Sequence, residues 1–115
     1  MHFSLKRNEI LKKNNDIKAV FANGNKILGK YVIIYFYRSK SRKVAFIVSK
    51  KVDKRAVFRN KIKRWLREIY RQGKFKLHIN AELLIVARHD IINAEYVLLK
   101  NEIEKLFNNI NYTVN

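Results

Sequence analysis

Hydrophobic positions along this chain follow two different periods, and the change from one to the other outlines the fold. Ile17, Val20 and Phe21 fall at i, i+3 and i+4, which sets them on one face of a helix over residues 16–23. Asn14 and Asn15 can cap that helix, because an Asn side chain accepts from the free amides of a first turn, and Gly24 supplies a stop. Residues 31–38 change to a period of two. Tyr31, Ile33, Tyr35 and Tyr37 point one way and Val32, Ile34 and Phe36 the other, so both faces of this strand should be covered. The polar stretch 38–43 reads as a strongly basic turn and 44–49 as a second strand, and together they predict a hairpin.

From residue 56 to 72 the helical period returns through Phe58, Ile62, Trp65, Leu66 and Ile69, and Gly73 marks its end. Residues 82–88 form a short, mostly apolar run suited to a buried strand. Residues 94–107 are helical again through Tyr96, Leu99, Ile103, Leu106 and Phe107, and the tail from Asn108 reads as frayed. The order is helix, two or more strands, helix, strand, helix, an α+β arrangement with helices packed on a sheet. The chain has no internal repeat, no proline and only Gly24, Gly29 and Gly73, so residues 1–115 are expected to form one domain with short flexible ends.

Charge changes this picture from a fold to a binding surface. Lys and Arg number 26 against 9 Asp and Glu, a formal charge of +17 that a small fold can place only on its surface, where it repels itself. A polyanion relieves that repulsion. Hydrophobic content of 48% excludes a merely disordered basic tail. The absence of cysteine removes disulfides, thiolate metal sites and thiol chemistry, and suits a reducing cytoplasm. The longest apolar run, residues 31–37, is far short of the ~20 residues that span a bilayer. The first seven residues lack an apolar signal core, so a soluble, untargeted protein is expected.

The charge is concentrated between residues 50 and 76, which hold twelve basic residues and two acids, Asp53 and Glu68. At about 100° per residue, Arg59, Lys63, Arg67, Asn60, Arg71 and Arg64 sweep one side of the 56–72 helix, opposite its apolar stripe. An ordinary solvated helix intersperses Glu with Lys at i,i+4, whereas like charges so spaced destabilise it. Phosphates along an RNA backbone would offset the row, since Arg offers a planar fork of donors and Lys a compact charge.

The residues that carry this charge are themselves distinctive. Ser49-Lys50-Lys51-Val52, followed by Ala56-Val57-Phe58-Arg59-Asn60-Lys61-Ile62-Lys63-Arg64-Trp65-Leu66-Arg67-Glu68, resembles the signature of the bacterial ribonuclease P protein family, with its Arg-Asn-Arg core. The resemblance reaches from Leu11-Lys12-Lys13, Asp16, Phe21 and Gly24, through Ala45-Phe46-Ile47-Val48, to Leu84-Ile85-Val86-Ala87-Arg88 and the final helix. Two positions depart from it. Lys61 stands at the third core position, keeping charge but giving up bidentate geometry, and Ile17 stands where the family often carries Phe, which weakens a stacking surface.

The resemblance implies a two-layer α/β sandwich of about four strands and three helices, order α-β-β-(β)-α-β-α, with the basic helix in a left-handed βαβ crossover. It also implies that Lys50, Lys51, Arg55, Arg59, Asn60, Lys61, Lys63, Arg64, Arg67 and Arg71 bind the catalytic RNA of ribonuclease P. A cleft between the first helix and the sheet would take the single-stranded 5′ leader of precursor tRNA, through Phe21 and Tyr35 with Ile17 and Ile33 beside them and Tyr31 and Tyr37 as further candidates. Base stacking on such rings tolerates any sequence. Read from the residues alone, the same rings could equally be core. One protein per RNA is implied, with no membrane partner.

No catalytic machinery is legible in the protein itself. His2, His78 and His89 are scattered, and proton transfer needs titratable groups converging on one substrate. The acids mostly stand singly, with His89-Asp90 the one adjacent pair of this kind, so no cofactor or metal site is expected in the protein. Mg is expected with the RNA, which would perform the endonucleolytic hydrolysis while the protein serves as accessory subunit. A ribosome-associated or general RNA-binding protein would explain the charge but not the signature. A membrane-surface role would leave the best amphipathic helix without an apolar face for lipid, because the core needs it.

Overall fold

Both periods become regular structure in the computed structural model, which describes residues 9–113. Helix α1 spans Asn14–Asn23, β1 Asn25–Leu28, β2 Val32–Arg38, β3 Lys43–Ile47, α2 Ala56–Gly73, β4 Ala81–Ala87 and α3 Tyr96–Thr113. Helix α1 starts earlier than its apolar spacing implies. Lys13 is its N-cap residue, with no side-chain capping bond, so Asn14 and Asn15 are first-turn residues instead of caps. Gly24 ends it as expected, donating its N–H to Val20 O at 2.8 Å. A Cβ on Gly24 would come within 2.5 Å of Val20 O and 2.7 Å of Phe36 O, so only glycine lets helix and strand approach this closely.

The sheet order is β1-β2-β4-β3, antiparallel except for the β4–β3 pair. This corrects the expected hairpin: β2 pairs with β1 and β4, and β4 lies between β2 and β3. The reason lies in burial. Leu83, Leu84 and Ile85 are all fully buried, and such a run is stable only in a strand covered on both faces. The turn is also not a free basic tip, because the Arg42 guanidinium donates to Lys74 O, Leu77 O and Ile79 O at 2.9, 2.8 and 3.0 Å. That contact anchors the connection to the chain leading into β4.

Alternation assigns the two sheet faces. Val32, Ile34, Phe36, Val44, Leu83 and Ile85 join Ile62, Leu66 and Ile69 of α2 and Leu99, Ile103 and Phe107 of α3 in the main core. Full burial of each such side chain contributes about 1.5–3 kcal/mol. The sheet and the α2–α3 layer make the expected two-layer sandwich, and α1 lies on part of the opposite face, where Leu11 and Val20 meet Ala45 and Leu84. Leu11 donates its N–H to Val44 O at 2.9 Å, tying the entry to α1 to the β3 edge.

Helix α3 runs through the stretch expected to fray. Ile110 is fully buried, and Asn111 accepts from His78 N–H at 2.7 Å and donates to Lys76 O at 2.6 Å. Nearer the start of α3 the Glu102 carboxylate accepts from the N–H groups of Lys30, Tyr31 and Val32 at 2.6, 2.8 and 3.1 Å, fixing the β1–β2 turn.

Candidate nucleic-acid interface

Helix α2 owes its orientation to one stripe. Ile62, Leu66, Ile69, Tyr70 and Gly73 are buried, which turns Asn60, Lys61, Lys63, Arg64 and Arg67 outward to solvent. The preceding loop is pinned by buried Val48 and Val52 and by a turn in which Val52 N–H donates to Ser49 O at 3.0 Å, leaving Lys50 and Lys51 exposed. Asp53 then orders the helix entry by accepting from Arg55 N–H at 2.8 Å.

Nine of the ten residues predicted for this face are cations, and they fall into four states. Among the described residues, the side chains of Lys50, Lys51, Lys63, Arg64 and Arg67 make no ion pair or hydrogen bond, and Lys61 makes only aromatic contacts. Arg59 folds back, its guanidinium donating to Asp53 O and Lys54 O at 3.0 and 2.7 Å. Arg55 pairs with Asp53 at 2.8 Å and Arg71 with Glu68 at 3.0 Å. The hydrogen bond from Arg55 is the main reason the Asp53 carboxyl is held down at about 2, and that from Arg71 likewise lowers Glu68. Arg55 and Arg71 therefore carry their own counter-charges, whereas the unpaired cations face outward uncompensated.

A second surface opens on the α1 side of the sheet. Phe21 and Tyr35 meet edge-to-face with centroids 4.7 Å apart. Phe21 keeps 42% of its surface exposed, so the ring is not core; Val20 beside it is. Ile33 is half-buried on the same sheet face, in register with Leu28 of β1 and Val86 of β4. Ile17 lines a cavity of about 260 Å³ with Ile10, Leu11, Ala45, Phe46 and Ile47, and its rim is completed by Lys63 and Arg67 of α2. Tyr31 is not part of this group: it packs against the main core, with the Lys30 ammonium 5.4 Å from its ring. Tyr37 is 45% exposed near the end of β2.

The sequence reading missed Ala45 and Ile47 as cleft floor, although the alternation within β3 places them together. It also missed that Lys63 and Arg67 border the cleft. That juxtaposition depends on β3 being the sheet edge, which no local pattern encodes.

A mixed sheet backed by a cationic helix on one side and opened by an apolar, aromatic cleft on the other defines an α+β protein built to meet a polyanion. The sequence matches the Ribonuclease P family over residues 5–111. It is 32% identical over 98 residues to the ribonuclease P protein component of Thermoanaerobacter sp. (strain X514), covering 84% of each chain. To that of Fusobacterium nucleatum subsp. nucleatum it is 35% identical over 105 residues, 86% of this chain and 94% of the other. The fold superposes on the Staphylococcus aureus RNase P protein with a TM-score of 0.76 at 26% identity, covering 84% of this chain and 90% of that one. The Thermotoga maritima RNase P protein shares the fold at a TM-score of 0.78 and 21% identity, covering 88% and 96%. The chain belongs to the ribonuclease P protein family, and is a subunit of the ribonuclease that processes the 5′ ends of tRNA.

Proposed function

We propose that the exposed arc of α2 and the loop before it dock on ribonuclease P RNA, and that the cleft between α1 and the sheet holds the single-stranded 5′ leader of precursor tRNA. The observation that carries this is the row of cations lacking internal partners, two of which, Lys63 and Arg67, also rim the cleft. An RNA on α2 and a leader in the cleft would share that border, so one protein could hold enzyme RNA and substrate in fixed relation. Phe21 and Tyr35 offer half-open ring faces for unpaired bases, with Ile17 and Ile33 as apolar neighbours. Arg55, Arg59, Asn60 and Arg71 belong to the same docking face, the two paired arginines adding shape more than net charge.

In this reading the RNA and its Mg ions supply the hydrolysis, and the protein supplies affinity and charge neutralisation. Five of the nine acids are engaged within the fold. Asp53, Glu68, Glu9 and Glu104 pair with Arg55, Arg71, Lys74 and Lys76, and Glu102 is taken up by backbone amides. Among the described residues no three His, Asp or Glu side chains gather as metal ligands, and no helix is long and apolar enough to cross a membrane. One protein per RNA, working in the cytoplasm, completes the proposal. Precursor cleavage at low Mg by RNA alone, protein alone and both together tests it: the mixture should be active, and cleavage by purified protein without RNA would overturn the division.

A further inference from the structure

Helix α2 borders a second groove on its far side. Phe58, Ile62 and Trp65 of α2 and Ile91, Ile92 and Ala94 of the segment after β4 enclose a cavity of about 200 Å³ whose one charged lining residue is Lys61. The Lys61 ammonium stands 5.0 Å from the Trp65 ring and 5.8 Å from that of Phe58, and the Arg55 guanidinium lies 4.9 Å from Phe58. Tyr96 meets Trp65 edge-to-face at 5.5 Å, fixing the indole from behind. Both cavity rings are only partly buried, although they project from a helix whose apolar stripe is otherwise covered.

At about 100° per residue, Lys61 and Lys63 lie about 160° apart around α2, so this cavity is separate from the leader cleft. The cationic arc is thus bounded by a groove at each edge. We propose that the cavity between α2 and residues 91–94 receives one unpaired base of the RNA docked on α2, an inference that rests on α2 being the RNA-facing helix. Two features select this occupant. The walls are apolar and aromatic with room for one planar ring, smaller than the ~300 Å³ and upward of sites for larger ligands. The mouth is cationic, with Lys61 in its lining and the Arg55 guanidinium over the Phe58 ring, which suits a ring attached to phosphate and opposes an uncharged apolar side chain of a protein partner. Base-to-aromatic stacking of this kind strengthens binding by about fivefold to about 150-fold.

Trp65 is the sole tryptophan, so its emission reports this cavity in the full chain. The test titrates the protein with ribonuclease P RNA and follows Trp65 emission together with the anisotropy of labelled RNA. Ala94→Leu fills the cavity without removing a cation. Expected are quenching of Trp65 in the natural chain, loss of that quenching in Ala94→Leu, and binding about tenfold weaker with an unchanged salt slope. Binding without a change in Trp65 emission overturns the base site, as does an Ala94→Leu protein that binds and quenches like the natural chain. No binding at all, even at low salt, defeats the RNA-facing role of α2 and the base site with it. Should Ala94→Leu fail to fold by circular dichroism, the emission of the natural chain still decides.

Discussion

Replacing Lys63 and Arg67 together by alanine isolates the electrostatic part of RNA docking. Both side chains are exposed and unpaired among the described residues, so truncation removes two charges without breaking an ion pair or hydrogen bond. Six of the predicted RNA-facing cations make no ion pair and no hydrogen bond among the described residues: Lys50, Lys51, Lys61, Lys63, Arg64 and Arg67. If each meets one phosphate, the slope of log affinity against log salt is about −4 to −5, and the double variant raises it by about 1.5. With equal affinities extrapolated to 1 M salt, that difference weakens binding about tenfold near 200 mM and about ninetyfold near 50 mM. Labelled ribonuclease P RNA, titrated at several salt concentrations, gives the slopes directly. The control neutralises whole ion pairs, Asp53→Asn with Arg55→Gln and Glu68→Gln with Arg71→Gln, which leaves net charge unchanged and should leave the slope within about 0.3 of the natural chain. A double variant with the natural slope, or a control that loses as much, refutes the assignment of the unpaired cations to phosphate.

Two further outcomes concern the scaffold. Burial pushes the Tyr70 hydroxyl up to about 12, and its oxygen has no hydrogen-bond partner among the described residues. The folded state therefore keeps a proton that the unfolded phenol releases near its ordinary value of about 10, so this contribution is intact below about pH 10 and is lost as pH rises towards 12. Tyr70→Phe should remove that part of the alkaline decline and leave urea stability near neutrality within about 1 kcal/mol; a larger loss would mean the hydroxyl is bonded. Glu102→Ala strips the acceptor from three backbone amides and should cost roughly 2–4 kcal/mol in the same assay, against less for Glu102→Gln, which retains one acceptor oxygen. Equal stability of Glu102→Ala and the natural chain would show that the turn does not need this anchor.

Helix α2 was legible because its apolar stripe and its charge row both follow one local period, and Leu66 and Ile69 are fully buried as that period requires. The same holds for the division of β2, where Val32, Ile34 and Phe36 are core and Tyr35 faces α1. What failed was pairing. Two consecutive strands read as a hairpin because neighbours in sequence usually pair, yet here a strand some forty residues further on separates them, which no local signal announces. The frayed-tail expectation failed for a related reason: Ile110 is buried in the main core and Asn111 is held by residues 76 and 78 in a distant segment. Of the candidate site, residue types were legible and neighbours were not. Ile17, Phe21 and Tyr35 were named together, but the contribution of Lys63 and Arg67 to the same rim, and the separate cavity beside Trp65, exist only once β3 is an edge and α3 is docked.

The central place of β4 has a consequence for how the molecule is made. The β1–β2 pair with its aromatic wall and the β3–α2 unit with its cations share no strand pairing of their own, and each pairs with β4, which comes after both in the chain. Pairings between distant segments form late, since the intervening chain must be closed first. During synthesis the pieces of both proposed RNA-facing surfaces exist before the strand that fixes their spacing, so the proposed grip on RNA is completed in one step once β4 has been added, and not by degrees.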